Sequence, residues 1–325
     1  MVESVIPVDG LFDPALCPCT AEIVSRVLSQ WPEHLKFLRL SFAGRPQSLL
    51  RATEMIAEMI LRLTTTAPHG LDGMVADYRF LCERIVPPEE MHFRRYGNYR
   101  LTSFQDAVEQ VYANAPFMAR YMYGLLVSDA LWINHANALD HLNAVYLPMI
   151  ATGGRHLEVG PGHGLLMCLA ARSPQIACLD GWDISETSLA HTQRALAAFG
   201  INRPVNLMVR DLFSEEVLAP ENSGKFDSIV LSEVLEHLEH PLIALRSLYY
   251  LAKPGGVIWV NVPANAPAPD HIFLLRHPDQ AAALVTESGF KVAATAAFPQ
   301  AGVSLDRAIR QQLAVSCVVI GRKPV

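Results

Sequence analysis

Glu158-Val159-Gly160-Pro161-Gly162-His163-Gly164 joins an apolar run that ends in an acid to three glycines spaced two apart. An apolar segment, Leu165 to Ala171, follows directly. Glycine lets a backbone turn sharply and approach a ligand closely. A helix that starts there presents free N–H groups to polar ligand atoms. This is the chemistry of a nucleotide cradle. The spacing is neither G-x-G-x-x-G nor a P-loop, because no Lys-Ser/Thr pair follows.

Other acids stand at the ends of later apolar runs. Asp183, in Gly181-Trp182-Asp183-Ile184-Ser185, lies about twenty residues beyond the turn, where a carboxylate accepts from both ribose hydroxyls. Asp211-Leu212-Phe213 offers a carboxylate for the adenine amino group, with apolar neighbours to cover the ring. Ser232-Glu233-Val234-Leu235-Glu236-His237-Leu238 closes a further run. His237 and His271 are suited to take a proton from a reacting group. His271 ends the proline-stiffened segment Pro263–His271, with Asp270 before it. The same pair also reads as a helix N-terminus with Asp270 as its cap.

The E-x-G-x-G-x-G form resembles motif I of the class I S-adenosylmethionine (SAM) dependent methyltransferases. Phe226-Asp227-Ser228-Ile229-Val230-Leu231, leading into Ser232–Leu238, resembles motif IV of that family. Lys253-Pro254-Gly255-Gly256 resembles its usual turn before the fifth strand. The resemblance runs from about Arg155 onward. It implies SAM as methyl donor and S-adenosylhomocysteine as product. It implies that Glu158, Gly160, Gly162 and Gly164 hold the amino-acid end of SAM and that Asp183 holds the ribose. Ile184 would then pack on the adenine, with Asp211 and Leu212 flanking it. Ser232, Glu233 and His237 would line the floor near the methyl group, with His237, Asp270 and His271 as catalytic candidates. The expected activity is methylation of a small metabolite, oxygen before nitrogen, sulfur or carbon. A protein or RNA methyltransferase and a non-catalytic SAM-binding module are the alternatives.

These residues require elements to position them. From Arg155 on, strand-like and helix-like runs alternate, which predicts a mostly parallel α/β sheet. With the resemblance, the expected fold is a Rossmann-like seven-stranded sheet with helices on both faces. Strands are expected at Arg155–Gly160, Gln175–Asp183, Pro204–Arg210, Phe226–Leu231 and Val257–Val262. Helices are expected at His163–Arg172, Glu186–Phe199, Pro241–Leu251 and Pro278–Ser288. Phe290–Ala297 and Leu313–Ile320 read as a terminal antiparallel pair with no helix between them. Residues 1–150 read as a mostly α-helical domain, apart from a SAM-binding domain at 151–325. Its helices are expected at Ala21–Gln30, Gln47–Thr64, Met74–Ile85, Thr102–Asn114 and Ala115–Leu142, with Val86-Pro87-Pro88 as a break. Tyr121, Leu125, Ser128, Trp132 and His135 share one stripe of the last helix. That stripe either faces the ligand, making Tyr121, Trp132 and His135 substrate contacts, or forms a seam between helices. In Phe93–Arg100, Arg95 is a candidate clamp for an acceptor carboxylate or phosphate; a solvated or salt-bridged surface is the other reading.

Composition narrows the classes. The 325 residues are 51% hydrophobic and 18% charged, with net charge −6, which speaks against a nucleic-acid partner. No run of eighteen apolar residues suggests a membrane span. The N-terminus has no leader pattern, so a cytoplasmic protein is expected. Six scattered cysteines read as free thiols. His237 with His240 does not read as a zinc pair, and Cys17-Pro18-Cys19 lacks partner ligands, so no metal is expected. The expected partners are a small-molecule substrate and a second copy of the chain, joined through the helical half.

Overall fold

A computed structural model describes residues 10–67 and 69–325. The first half is helical: α1 Pro18–Gln30, α2 Leu35–Phe42, α3 Gln47–Leu63, α4 Gly70–Phe80, α5 Val86–Tyr96, α6 Phe104–Ala107, α7 Ala115–Leu131 and α8 Ile133–His141. Strands and helices then alternate as β1 Gly154–Val159, α9 Leu165–Arg172, β2 Ile176–Asp183, α10 Glu186–Ala198, β3 Val205–Val209, β4 Phe226–Ser232, α11 Pro241–Leu251 and β5 Ala252–Ala264. The chain closes with α12 Pro278–Glu287, β6 Lys291–Pro299, α13 Leu305–Gln311 and β7 Val315–Arg322.

The seven strands form one sheet in the order β3-β2-β1-β4-β5-β7-β6. β1 to β5 pair in parallel, and β7 runs antiparallel to both β5 and β6. This is the expected Rossmann-like sheet. Successive strand side chains point to opposite faces, so each strand feeds two cores. On β4 and β5, Ile229, Leu231, Ile258 and Val260 meet Leu245, Leu248 and Val285 of α11 and α12 on one side. Val230, Val257 and Trp259 meet the other core. That second core also holds Leu166 and Leu169 of α9, Leu139 and Tyr146, and Ile56, Ile60 and Tyr78 of the helical half. One close-packed interior therefore crosses the 150/151 boundary. No helix among the described residues is long and apolar enough to cross a membrane.

Four local expectations are corrected. Leu35–Phe42 is an additional helix. Pro87 and Pro88 do not break the chain: a wider π turn at Leu81–Ile85 leads into α5 and leaves both prolines in its first turn, where a missing N–H costs little. The expected helix Ala115–Leu142 is interrupted at Trp132, whose ψ is +124°. The carbonyls freed there are taken by a buried guanidinium. Arg45 donates to Ala130 O (3.0 Å) and Leu131 O (3.2 Å), to Ser41 O and Oγ, and to Thr53 Oγ1. Burial lowers the Arg45 pKa to about 9. Finally, α13 lies between β6 and β7. It is short and polar, so it carries little periodic signal; its sequence mark is Ser304, which caps it by accepting from Arg307 N.

Candidate active site

The site gathers where β1, β2, β4 and β5 end, the ligand-binding edge of a sheet of this kind. Gly160, Gly162 and Gly164 all have positive φ, at 69°, 51° and 82°. A Cβ on Gly160 would lie 2.7 Å from Val234 Cγ2, and one on Gly164 2.9 Å from Thr192 Cα. Two of the three glycines thus serve close packing as well as the turn. Helix α7 lies over this turn, its Met122 Cε 3.5 Å from where a Cβ on Gly162 would stand.

Glu158 is buried at the end of β1, and its Oε2 has no hydrogen-bond partner. Burial, with Asp183 nearby, pushes its carboxyl well above the usual range. Asp183 ends β2 and accepts from Ser185 N (2.9 Å). Burial raises its carboxyl, and the N–H groups of Ser185, Gly162 and Ile184 pull against that. Ile184 is 55% exposed beside it. Asp211 is exposed and accepts from Phe213 N (2.9 Å), while Leu212 is buried.

Beyond β4, Asn261 of β5 donates to Ser232 Oγ (3.2 Å) and Glu233 Oε1 (2.7 Å). Glu233 has φ +52°, a left-handed backbone uncommon outside glycine. Such strain concentrates at functional sites. Its side chain opens onto the cleft yet lies deep in the molecule, which raises its carboxyl, with His135 and His237 opposing.

The loop after β5 completes the group. No helix starts between Asn265 and His277, so Asp270 is not a helix cap. Instead its buried carboxylate accepts from Tyr121 Oη (3.2 Å) and Tyr112 Oη (3.3 Å). His237 Nδ1 is 3.0 Å from Asp270 O, and His271 Nδ1 is 2.7 Å from Ala266 O. A carbonyl only accepts, so both rings donate through Nδ1, and the neutral form of each has its acceptor at Nε2. The two rings cross edge to face at 5.0 Å. Burial, and then His237, lower the His271 pKa to about 4.

Two buried carboxylates escaped the sequence reading. Glu236 is fully buried, with neither oxygen hydrogen-bonded. Its Oε1 lies 3.8 Å from His237 Nε2 and 3.9 Å from His271 Nε2. Its carbonyl takes Ile272 N and Phe273 N, which ties down the loop. Asp129 stands between two histidines, 3.2 Å from His163 Nε2 and 3.6 Å from His135 Nδ1. Burial works to raise its carboxyl, but the histidines win and lower it. The available signal was that Asp129 is the single acid in apolar α7.

Of the expected acceptor contacts, Tyr121 joins the Asp270 network. His135 lies beside Asp129 and hydrogen-bonds Ser128 Oγ at 3.0 Å. Trp132 instead donates to Tyr78 Oη (3.0 Å) in the helical core. Arg95 is exposed beside the Tyr96 ring. Its neighbours hold structure: Arg94 bonds Glu90 and the carbonyls of Gln311 and Gln312, and Arg100 pairs with Glu89.

A family model described as a methyltransferase domain matches residues 132–296. The ubiquinone biosynthesis O-methyltransferase of Xanthomonas campestris pv. campestris (strain B100) is 32% identical over 137 residues, 40% of this chain and 54% of that protein. Its namesake in Paracidovorax citrulli (strain AAC00-1) is 35% identical over 117 residues, 36% of this chain and 47% of that protein. The chain thus spans about half the length of these relatives. Among solved structures, a putative sarcosine dimethylglycine methyltransferase from Galdieria sulphuraria aligns at TM-score 0.47 and 13% identity, over 73% of this chain and 98% of that one.

Proposed function

This chain belongs to the methyltransferase-domain family, and we propose that it moves a methyl group from SAM to a hydroxyl oxygen of a small molecule. One observation carries the reading. The glycine turn, the unpartnered Glu158 carboxylate and Asp183 stand together at the ends of β1 and β2. That set fits SAM: its carboxylates would accept from the ammonium and the ribose hydroxyls, and the positive-φ turn would present backbone N–H groups to its amino-acid end. Glu158 and the turn would hold the amino-acid end, Asp183 the ribose, and Ile184, Asp211 and Leu212 the base.

When bound, SAM supplies a methyl carbon on a positively charged sulfur. The protein's part is alignment, which alone lowers such barriers substantially. Glu233, with Ser232 and Asn261, places negative charge near the sulfonium. A hydroxyl acceptor must also lose its proton. His237 and His271 stand at the floor as candidates to take it, and Asp270, braced by Tyr112 and Tyr121, holds their loop. Oxygen as the acceptor atom follows the named activity of the relatives above. The net charge of −6 supports a small molecule over a nucleic acid.

Calorimetry with SAM and S-adenosylhomocysteine tests the reading. Wild-type protein should bind both, and Asp183→Ala should lose at least tenfold in affinity, about 1.4 kcal/mol. Absence of binding by the wild type would overturn the proposal.

A further inference from the structure

We propose that Glu236, His237 and His271 form a binding site for a divalent first-row transition metal of the zinc class. These three side chains can offer one ligand atom each, all within 4.8 Å of one another. Two imidazoles and a carboxylate are the ligand set of open zinc sites and of facial-triad iron sites.

The hydrogen-bond pattern argues for a cation. Both histidines spend their Nδ1–H on backbone carbonyls, Asp270 O and Ala266 O. Their Nε2 lone pairs both face Glu236 Oε1. Glu236 has no exposure and no hydrogen-bond partner on either oxygen. Three ligand atoms thus converge, one from each side chain. Separations of 3.8 and 3.9 Å are too long for direct hydrogen bonds. Ligands at about 2.0–2.1 Å from a tetrahedral ion stand roughly 3.4 Å apart, so the two Glu236–histidine separations need to close by about half an ångström, and all three atoms must draw together from within 4.8 Å. Imidazoles that ligate a metal characteristically donate their other N–H to a carbonyl or carboxylate, and both do so here. His237 is partly open to the cleft, which leaves a face of the ion accessible to an acceptor oxygen. The ion would join the turn after β4 to the loop after β5.

With the ion bound, both Nε2 atoms would be ligands rather than bases, and the ion would ease loss of an acceptor proton by coordinating its oxygen; the site itself rests on the side chains alone and does not require methyl transfer. The test uses the full chain stripped with EDTA and titrated with Co²⁺, read by visible absorption, metal analysis after equilibrium dialysis, and thermal midpoint. The expected result is one Co²⁺ per chain, displaced by Zn²⁺, with a raised midpoint. Glu236→Gln and His271→Ala should weaken binding by more than about 100-fold, beyond what loss of an outer-shell partner costs. His240→Ala, at the exposed start of α11, should leave binding unchanged. Absence of saturable Co²⁺ or Zn²⁺ binding by folded wild-type protein overturns the site, and means that a proton occupies the position of the ion. Undiminished binding in both ligand variants, or loss in His240→Ala, also overturns it. Binding of S-adenosylhomocysteine, measured in parallel, reports separately on the donor site.

Discussion

Gly164→Ala separates two demands that the glycine turn makes. At φ +82° any side chain carries a left-handed cost of about 1–2 kcal/mol. Its Cβ would also stand 2.9 Å from Thr192 Cα and 3.0 Å from Ala195 Cβ, against the body of α10. Backbone cannot swing aside as a flexible side chain does, so overpacking adds about 1–3 kcal/mol. The sum is about 2–5 kcal/mol. Gly200→Ala is the matched control, because Gly200 has φ +63° and no atom within 4 Å of a new Cβ. It should lose only the backbone share. Urea unfolding of wild type and both variants should therefore separate them by about 1–3 kcal/mol. Because relief of the clash displaces the turn, S-adenosylhomocysteine affinity should fall in Gly164→Ala and hold in Gly200→Ala. Equal midpoints and equal affinities in the two variants would refute the steric argument.

Arg45→Lys keeps the charge but replaces a planar fork with a single point of donation. Leu131 O keeps its bond from Ser41 Oγ, but the carbonyls of Ala130 and Ser41 depend on the fork, and each one left costs about 1–3 kcal/mol, read as a lower urea midpoint; an unchanged midpoint would remove the cap at the α7 break. His156 is wholly buried in β1, bonded at Nδ1 to Ser228 Oγ, and burial lowers its pKa to about 3. The unfolded chain therefore takes up a proton near pH 6.5 that the folded chain refuses, so stability is full above that pH and falls toward pH 3 at about 1.4 kcal/mol per unit. His156→Gln should flatten the slope of stability between about pH 6 and 4 by that amount, and an unchanged slope would reassign the acid sensitivity.

The glycine turn and the acids at the strand ends were legible because their signals are local. Positive-φ glycines, an acid at a strand end and a strand-helix rhythm are all fixed within a few residues. The Ser232–His237 segment was legible for the same reason. The surroundings of Asp270 and Asp129 were not, since they depend on pairings remote in sequence. Tyr112 and Tyr121 reach Asp270 from the helical half, and Asp129 meets His163 across α7 and the glycine turn. Glu236 passed unnoticed because a helical or strand pattern does not tell which of two neighbouring acids is buried. The stripe through Trp132 misled because its period continues across a real break. The arginine that stabilises that break lies far upstream in the chain.

The interior that runs from the helical half into one face of the sheet bears on how such a protein can diversify. A recombination junction at residue 150 would cut through a continuous interior, separating Ile56, Tyr78 and Leu139 from Trp259, Val318 and Ile320. Chimaeras made by exchanging the first half would need matched repacking on both sides of the join. Gradual side-chain replacement around Asp270, Tyr112 and Tyr121 leaves that interior untouched. Change at the cleft is therefore more accessible by point substitution than by shuffling of parts.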